Sequence, residues 1–247
     1  MRSPLLTPEQ SLTLLASAAE RFTQVLADGD LTAAVPFCPG WTLADLGGHL
    51  AEIHLWAAHA IVAGNPDADP PETPKDPTRL AGWYRDAADR LLDILGTTAP
   101  DARTWTFGPH PRTASFWSRR QGQEARLHVW DALRSQGVTE PIAEDVALDG
   151  IDEVVAMFFP RQVRLGRISA LAHSLALEAG GGYRWVLAGD GTGAASEPQA
   201  PAEVTVSGSG QALHLLLWGR IGVGDPGLLV HGDEEVARAV VGAGLTP

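Results

Sequence analysis

Four stretches within the first 137 residues repeat their apolar side chains at helical spacing, and each carries its own start and stop residues. The first opens at Thr7-Pro8-Glu9-Gln10, a capping-box pattern with proline at the first helical position. It keeps Leu15, Phe22, Val25 and Leu26 on one face until Gly29. In the second, Pro39-Gly40-Trp41 forms a turn that delivers Thr42 as N-cap, with Asp45 placed to reach back to it. Its expected inward stripe is Leu46, His49, Leu50, Ile53 and Ile61, and Gly64 ends it. A link from Asn65 to Pro77 holds five prolines and is too rigid and polar to be an element. The third helix carries Leu80, Trp83, Ala87, Leu91 and Ile94 inward and stops at Gly96; the fourth runs from about Ala114 to Gln136, before Gly137. Four helices of this length predict a four-helix bundle over residues 1–138.

After Val138 the texture changes. One more helical stretch, Asp145 to Phe159, precedes short apolar or alternating runs that read as strands: Ile168 to Glu178, Tyr183 to Leu187, Glu203 to Val206 and Leu228 to His231. Gln211 to Trp218 and Asp233 to Val241 again have helical period. Residues 139–247 therefore predict a small α+β domain, and the fold class is α+β with the bundle first. The stretch from Ala188 to Pro201, rich in Gly, Ala, Ser and Pro, reads as a mobile loop, and no internal repeat is present.

With 45% hydrophobic and 19% charged residues the chain has the balance of an ordinary globular protein. Its net charge of -12 leaves no basic stripe to displace counterions from a phosphate backbone, so nucleic acid is not an expected partner. No apolar run approaches the roughly 20 residues of a spanning helix, and the N-terminus lacks a secretory pattern, so a cytoplasmic protein without a membrane partner is expected. Cys38 is the only cysteine; it allows no internal disulfide and no thiolate-rich metal site, and it reads as a structural thiol in a turn.

Any metal must therefore use nitrogen and oxygen ligands, and histidines at 49, 54, 59, 110, 128, 173, 214 and 231 supply candidates. In the fourth helix Glu124 and His128 are four apart and project to one side, with Asp131 further along that stripe. Alone, such a pair is weak evidence for ligands, because an E-x-x-x-H spacing arises by chance in many helices and more often marks a surface Glu–His contact. His49 adds weight, because an imidazole between Leu46, Leu50 and Ile53 needs a partner, whether a backbone carbonyl or a cation. If the second and fourth helices face each other, one His joins the Glu/His pair in a two-histidine, one-carboxylate set. That set suits zinc with an open coordination position, and accepts iron, nickel or manganese too. His54, about 140° around the helix from His49, is expected to face solvent, and His59 to play a surface role. Trp41, Trp56, Trp83, Trp117 and Trp130 read as bundle core or pocket wall.

Three motifs carry a family resemblance. The run from Val35 to Leu50, VPFCPGWTLADLGGHL, resembles the opening of the mycothiol-dependent maleylpyruvate isomerase family, whose bundle belongs to the DinB-like superfamily. Glu124-x-x-x-His128-x-x-Asp131 is similar to its second motif. Ser207-Gly208 followed by Leu213-x-x-x-Leu217-Trp218-Gly219-Arg220 is similar to the segment that closes its C-terminal domain. The resemblance implies His49, Glu124 and His128 as ligands of a divalent metal, zinc by preference, with mycothiol as thiol cofactor. It also implies Arg220 as an active-site arginine, against the alternative of a structural arginine capping the preceding helix. Asp131 then orients a ligand imidazole, or instead pairs with Arg126 or Arg134.

The implied chemistry is addition of a thiolate to an activated double bond of a small electrophile. Rotation and elimination make a cis–trans isomerase; release of the conjugate makes an S-transferase. Two alternatives stay open at this level: a metal-dependent hydrolase that activates water, and a non-catalytic, metal-stabilised binding module.

Overall fold

Both predicted capping boxes form. In α1 (Pro8–Asp28) the Thr7 hydroxyl accepts from the Gln10 N–H while the Gln10 side chain accepts from the Thr7 N–H. In α2 (Leu43–Ala63) Thr42 and Asp45 do the same, and Gly64 closes the helix at φ 72°. A single 3-10 turn, Pro77–Arg79, leads into α3 (Leu80–Thr97), and α4 spans Ala114–Ser135. The expected stop at Gly96 does not occur. The third helix runs through it to Thr97, where the Thr98 hydroxyl takes the Ile94 carbonyl. The computed structural model describes residues 6–69, 71–109, 111–188, 193–195 and 201–247, and these divide into two compact units, Leu6–Glu140 and Pro141–Pro247.

In the first unit α1 packs on α4 and α3, and α2 packs on α3 and α4, so α1 and α2 sit on a diagonal and α2 and α4 are neighbours. Leu15, Phe22, Leu46, Leu50, Tyr84 and Trp117 fill the centre. Gly47 is the close approach: an added Cβ would lie 2.9 Å from the Leu26 side chain of α1.

The buried stripe of α2 differs from the sequence expectation. It is Leu43, Leu46, Gly47, Leu50, Ala51, His54, Ala57 and Ala58, whereas Ile53, Ile61 and His49 lie on its margin, half-exposed. His54, expected in solvent, is fully buried. Centring the wheel on His49 turned it away from the small residues that let α2 approach its neighbours. The same happens in α3, where Tyr84, Ala88 and Leu95 are buried and Trp83 and Ile94 are only half so.

The second unit begins with α5 (Glu144–Glu153), passes through a wide π turn (Val154–Phe158) and continues as α6 (Phe159–Arg164). The expected helix end at Phe159 is thus overrun. Pro160 would clash with a carbonyl four residues back in a regular helix; the wide turn, in which the Phe159 N–H reaches the Val154 carbonyl, makes room for it. A five-stranded mixed sheet follows, made of β1 (Leu175–Ala179), β2 (Tyr183–Leu187), β3 (Gly193–Ala195), β4 (Val204–Gly208) and β5 (Leu228–His231), in the order β3-β2-β1-β4-β5. Only β1 and β4 are parallel.

The strand expected from Ile168 shrinks to Leu175–Ala179 because Leu187 and Val204, the ends of the neighbouring ladders, both pair with Leu175. β3 lies inside the stretch read as a mobile loop; the rest of that reading, residues 189–192 and 196–200, falls outside the described residues. Helices α7 (Gly210–Leu217) and α8 (Glu234–Val241) pack on the sheet, and α7 also packs on α5. Among the described residues no helix is long and apolar enough to cross a membrane.

Candidate metal centre

Adjacency of α2 and α4 brings His49, Glu124 and His128 together. One ligand atom from each lies within 4.8 Å of the others. Glu124 Oε1 is 3.3 Å from His128 Nε2 and 3.8 Å from His49 Nε2, and the two imidazole rings meet edge to face at 5.7 Å between centroids. Donors about 2.1 Å from a tetrahedral zinc lie about 3.4 Å apart, so the observed spacing suits a single ion. His49 is the exposed member of the three, and it lines a cleft of about 570 Å³ together with Trp41. The Trp41 ring packs 4.9 Å from the His49 ring.

The groups behind the three candidates fix their chemistry. Asp131 is fully buried and accepts from His128 Nδ1 at 3.0 Å, which leaves the Nε2 lone pair of that ring directed at the centre. This contact fits the orienting role considered for Asp131, and Arg134 donates to Thr139 and lies over the Trp130 ring.

Arg120, absent from the sequence reading, is 3% exposed and donates to Glu124 Oε2, so Oε1 is the oxygen left toward the histidines. Its signal was available: arginine four residues ahead of a glutamate on one helix. Burial alone would raise the Glu124 pKa, but Arg120 and the two imidazoles outweigh it and hold the carboxyl well below its usual range. Burial likewise opposes charge on His128, yet Asp131 and Glu124 on either side push its pKa up to about 9. Without a cation this pocket therefore keeps a proton on His128.

One layer deeper, His54 donates from Nδ1 to Gln121 Oε1 at 2.7 Å, and the Tyr84 hydroxyl sits 3.4 Å from its other nitrogen. Burial lowers its pKa to about 4, so it is a neutral core imidazole and no part of the ligand set. His59 closes the end of α2 on Asn65 at 3.2 Å. Arg220 belongs to the second unit, where it follows the turn that ends α7: its N–H takes the Leu215 carbonyl, Gly219 adopts φ 69°, and its guanidinium donates to the Trp218 carbonyl at 2.6 Å. These bonds close the turn that follows α7.

Comparison with known proteins gives a consistent result. The family model for the mycothiol maleylpyruvate isomerase N-terminal domain matches residues 12–133, and the model for the C-terminal domain of the same proteins matches residues 145–239. A search of curated proteins by sequence finds no match. Among solved structures, the crystal structure of the mycothiol-dependent maleylpyruvate isomerase superposes with a TM-score of 0.57 at 18% identity, covering 91% of this chain and 93% of that one. A histidine-to-alanine mutant of it gives a TM-score of 0.59 with the same identity and coverage. At this identity the superposition speaks for the fold, and the domain matches speak for descent: this chain belongs to the mycothiol maleylpyruvate isomerase family.

Proposed function

We propose that the chain is a metal-dependent enzyme that uses mycothiol against a small electrophile, either isomerising an activated cis double bond or transferring the thiol to it. The observation that carries this reading is the convergence of two imidazole nitrogens and one carboxylate oxygen on a point beside an open cleft. Such a set holds a divalent cation, zinc by its donor types, and the cation supplies a thiolate at neutral pH from a thiol whose own pKa is near 8.5.

The protein's own groups divide the remaining work. Asp131 holds the His128 ring in the tautomer that presents Nε2, and Arg120 keeps Glu124 ionised and aims Oε1. Trp41 limits the rotation of His49 from the cleft side. Arg220, on its motif, is assigned the neutralisation of negative charge that develops on the substrate as the thiolate adds. The thiol and the electrophile would both be met in the cytoplasm, as the sequence suggests.

The test combines metal analysis of the purified protein with a screen for thiol-dependent conversion of cis-enedioates and other electrophiles, followed by mass spectrometry. Conversion that requires both metal and mycothiol, and that fails in Glu124→Gln, supports the reading. Conversion without added thiol, or a Glu124→Gln protein that turns over normally with its metal retained, contradicts it.

A further inference from the structure

A cation at the centre between α2 and α4 is offered one atom by each of His49, Glu124 and His128. Among the described residues no other His, Cys, Asp or Glu joins that group. A fourth donor of those types can therefore come only from the second oxygen of Glu124 itself. A carboxylate binds a metal through one oxygen or through both, and the difference sets how many positions are left for anything else. In this chain the second oxygen is already engaged. Oε2 accepts from the Arg120 guanidinium, while Oε1 stands 3.3 Å from His128 Nε2 and 3.8 Å from His49 Nε2.

Arg120 is poorly explained as a prop for its helix. On α4 the pair runs arginine first and glutamate second at i,i+4, the order that supports a helix less well. Arg120 is also buried, and taking a guanidinium out of water is costly even beside its anion. Asp131 offers a parallel. It takes His128 Nδ1 at 3.0 Å and leaves Nε2 to the centre, as Arg120 takes one oxygen of Glu124 and leaves the other. Both partners sit on the ligands' own helix, so α4 presents one nitrogen and one oxygen as a preset pair.

We propose that Arg120 is a positioning residue that holds Glu124 to one-oxygen coordination, keeping the cation four-coordinate with one position open and favouring zinc over ions that demand more oxygen donors. This rests on the metal reading above and adds to it what decides the coordination number. For Oε2 to swing onto the metal, the buried guanidinium must give up its anion. Manganese, magnesium and calcium seek about six or more ligands, mostly oxygens, and gain most from a two-oxygen carboxylate. Zinc, satisfied by four, gains least.

The experiment uses the full-length protein as wild type, Arg120→Met and Arg120→Lys, each loaded with cobalt(II) for its visible spectrum and titrated separately with zinc and with manganese. Cobalt bands are intense in four-coordinate sites and weaken severalfold as further ligands bind. Wild type should show the intense spectrum and Arg120→Met the weak one. Arg120→Lys, which keeps a charge and a donor at that position, should regain most of the intensity. The ratio of zinc to manganese affinity should fall by at least about tenfold in Arg120→Met, the scale of effects from groups behind metal ligands, and recover in Arg120→Lys. The ratio is the decisive quantity, because deleting a positive charge by itself strengthens the binding of both dications alike. A purely structural arginine gives instead a drop in thermal stability with spectrum and ratio unchanged, and that result overturns the proposal. Should Arg120→Met fail to fold, the wild type still tests it: a five- or six-coordinate cobalt spectrum there overturns the proposal as well. In both cases the metal reading stands, since the ion is bound. A wild-type protein that takes up no divalent ion ends the metal reading and this proposal together.

Discussion

At the proposed metal centre, uptake of a cation at neutral pH would have to expel a proton from His128. The ring is sandwiched between the fully buried Asp131 carboxylate at 3.0 Å and Glu124 at 3.3 Å, and although burial opposes its charge, these two anions raise its pKa to about 9. A ligand imidazole must be neutral at the coordinating nitrogen. At about pH 7 deprotonation works against about two pKa units, or about 3 kcal/mol, so the apparent metal affinity should rise close to tenfold per pH unit and level off above about pH 9. Zinc titrations by calorimetry in buffers of different ionisation enthalpy read the protons released directly. His128 should contribute about one at about pH 7 and none above about pH 9. In Asp131→Asn this contribution shrinks, because one of the two anions is gone, and zinc affinity at about pH 9 drops by about 10- to 100-fold as the ring loses its orienting partner. Proton release that does not change between these pH values, or an Asp131→Asn protein identical to the parent in both respects, would refute the arrangement of His128 between its two acids.

Three further outcomes follow from the same packing. Glu124→Gln removes the charge of one partner from the buried Arg120–Glu124 pair, so the metal-free variant should lose about 2 kcal/mol in urea unfolding; an unchanged midpoint would show that the pair contributes nothing. His54 is neutral in the fold, with burial lowering its pKa to about 4. The unfolded chain binds its proton below about pH 6.5 while the folded one waits until about 4. This contribution is therefore complete above about pH 6.5 and is lost as pH falls toward 4, up to about 3 kcal/mol; in His54→Gln the unfolding free energy should depend less steeply on pH over that window. Finally, Gly47→Ala drives a methyl to within 2.9 Å of Leu26 and should cost about 1 kcal/mol despite the better helix propensity, whereas Gly82→Ala in α3, with nothing within 4 Å, should raise thermal stability slightly. Equal effects at the two glycines would contradict the close approach of α1 and α2.

Much of the fold could be read from local chemistry. Thr7 with Gln10 and Thr42 with Asp45 mark their helix starts because the cap and its reciprocal partner are three residues apart in the chain. The same locality made Glu124, His128 and Asp131 legible as one face of α4. What required distant contacts was read less well. Which face of α2 turns inward is decided by where Leu26 and Leu80 meet Gly47, and this put His54 in the core and His49 at the cleft edge. The π turn before Pro160 and the ladder that trims β1 to five residues likewise depend on i−5 and cross-strand partners that no periodicity displays. β3, short and made of Gly and Ala, offers no β-branched or aromatic residue to announce it.

The most direct measurement is X-ray absorption spectroscopy, with metal analysis, on the full-length protein loaded with zinc. The account predicts one ion per chain bound by two imidazole nitrogens and a carboxylate oxygen at about 2.0–2.2 Å, and loss of that ion when His49 and His128 are both replaced by alanine. A chain that takes up no divalent ion, or one whose bound ion and coordination shell survive the double replacement, would contradict it.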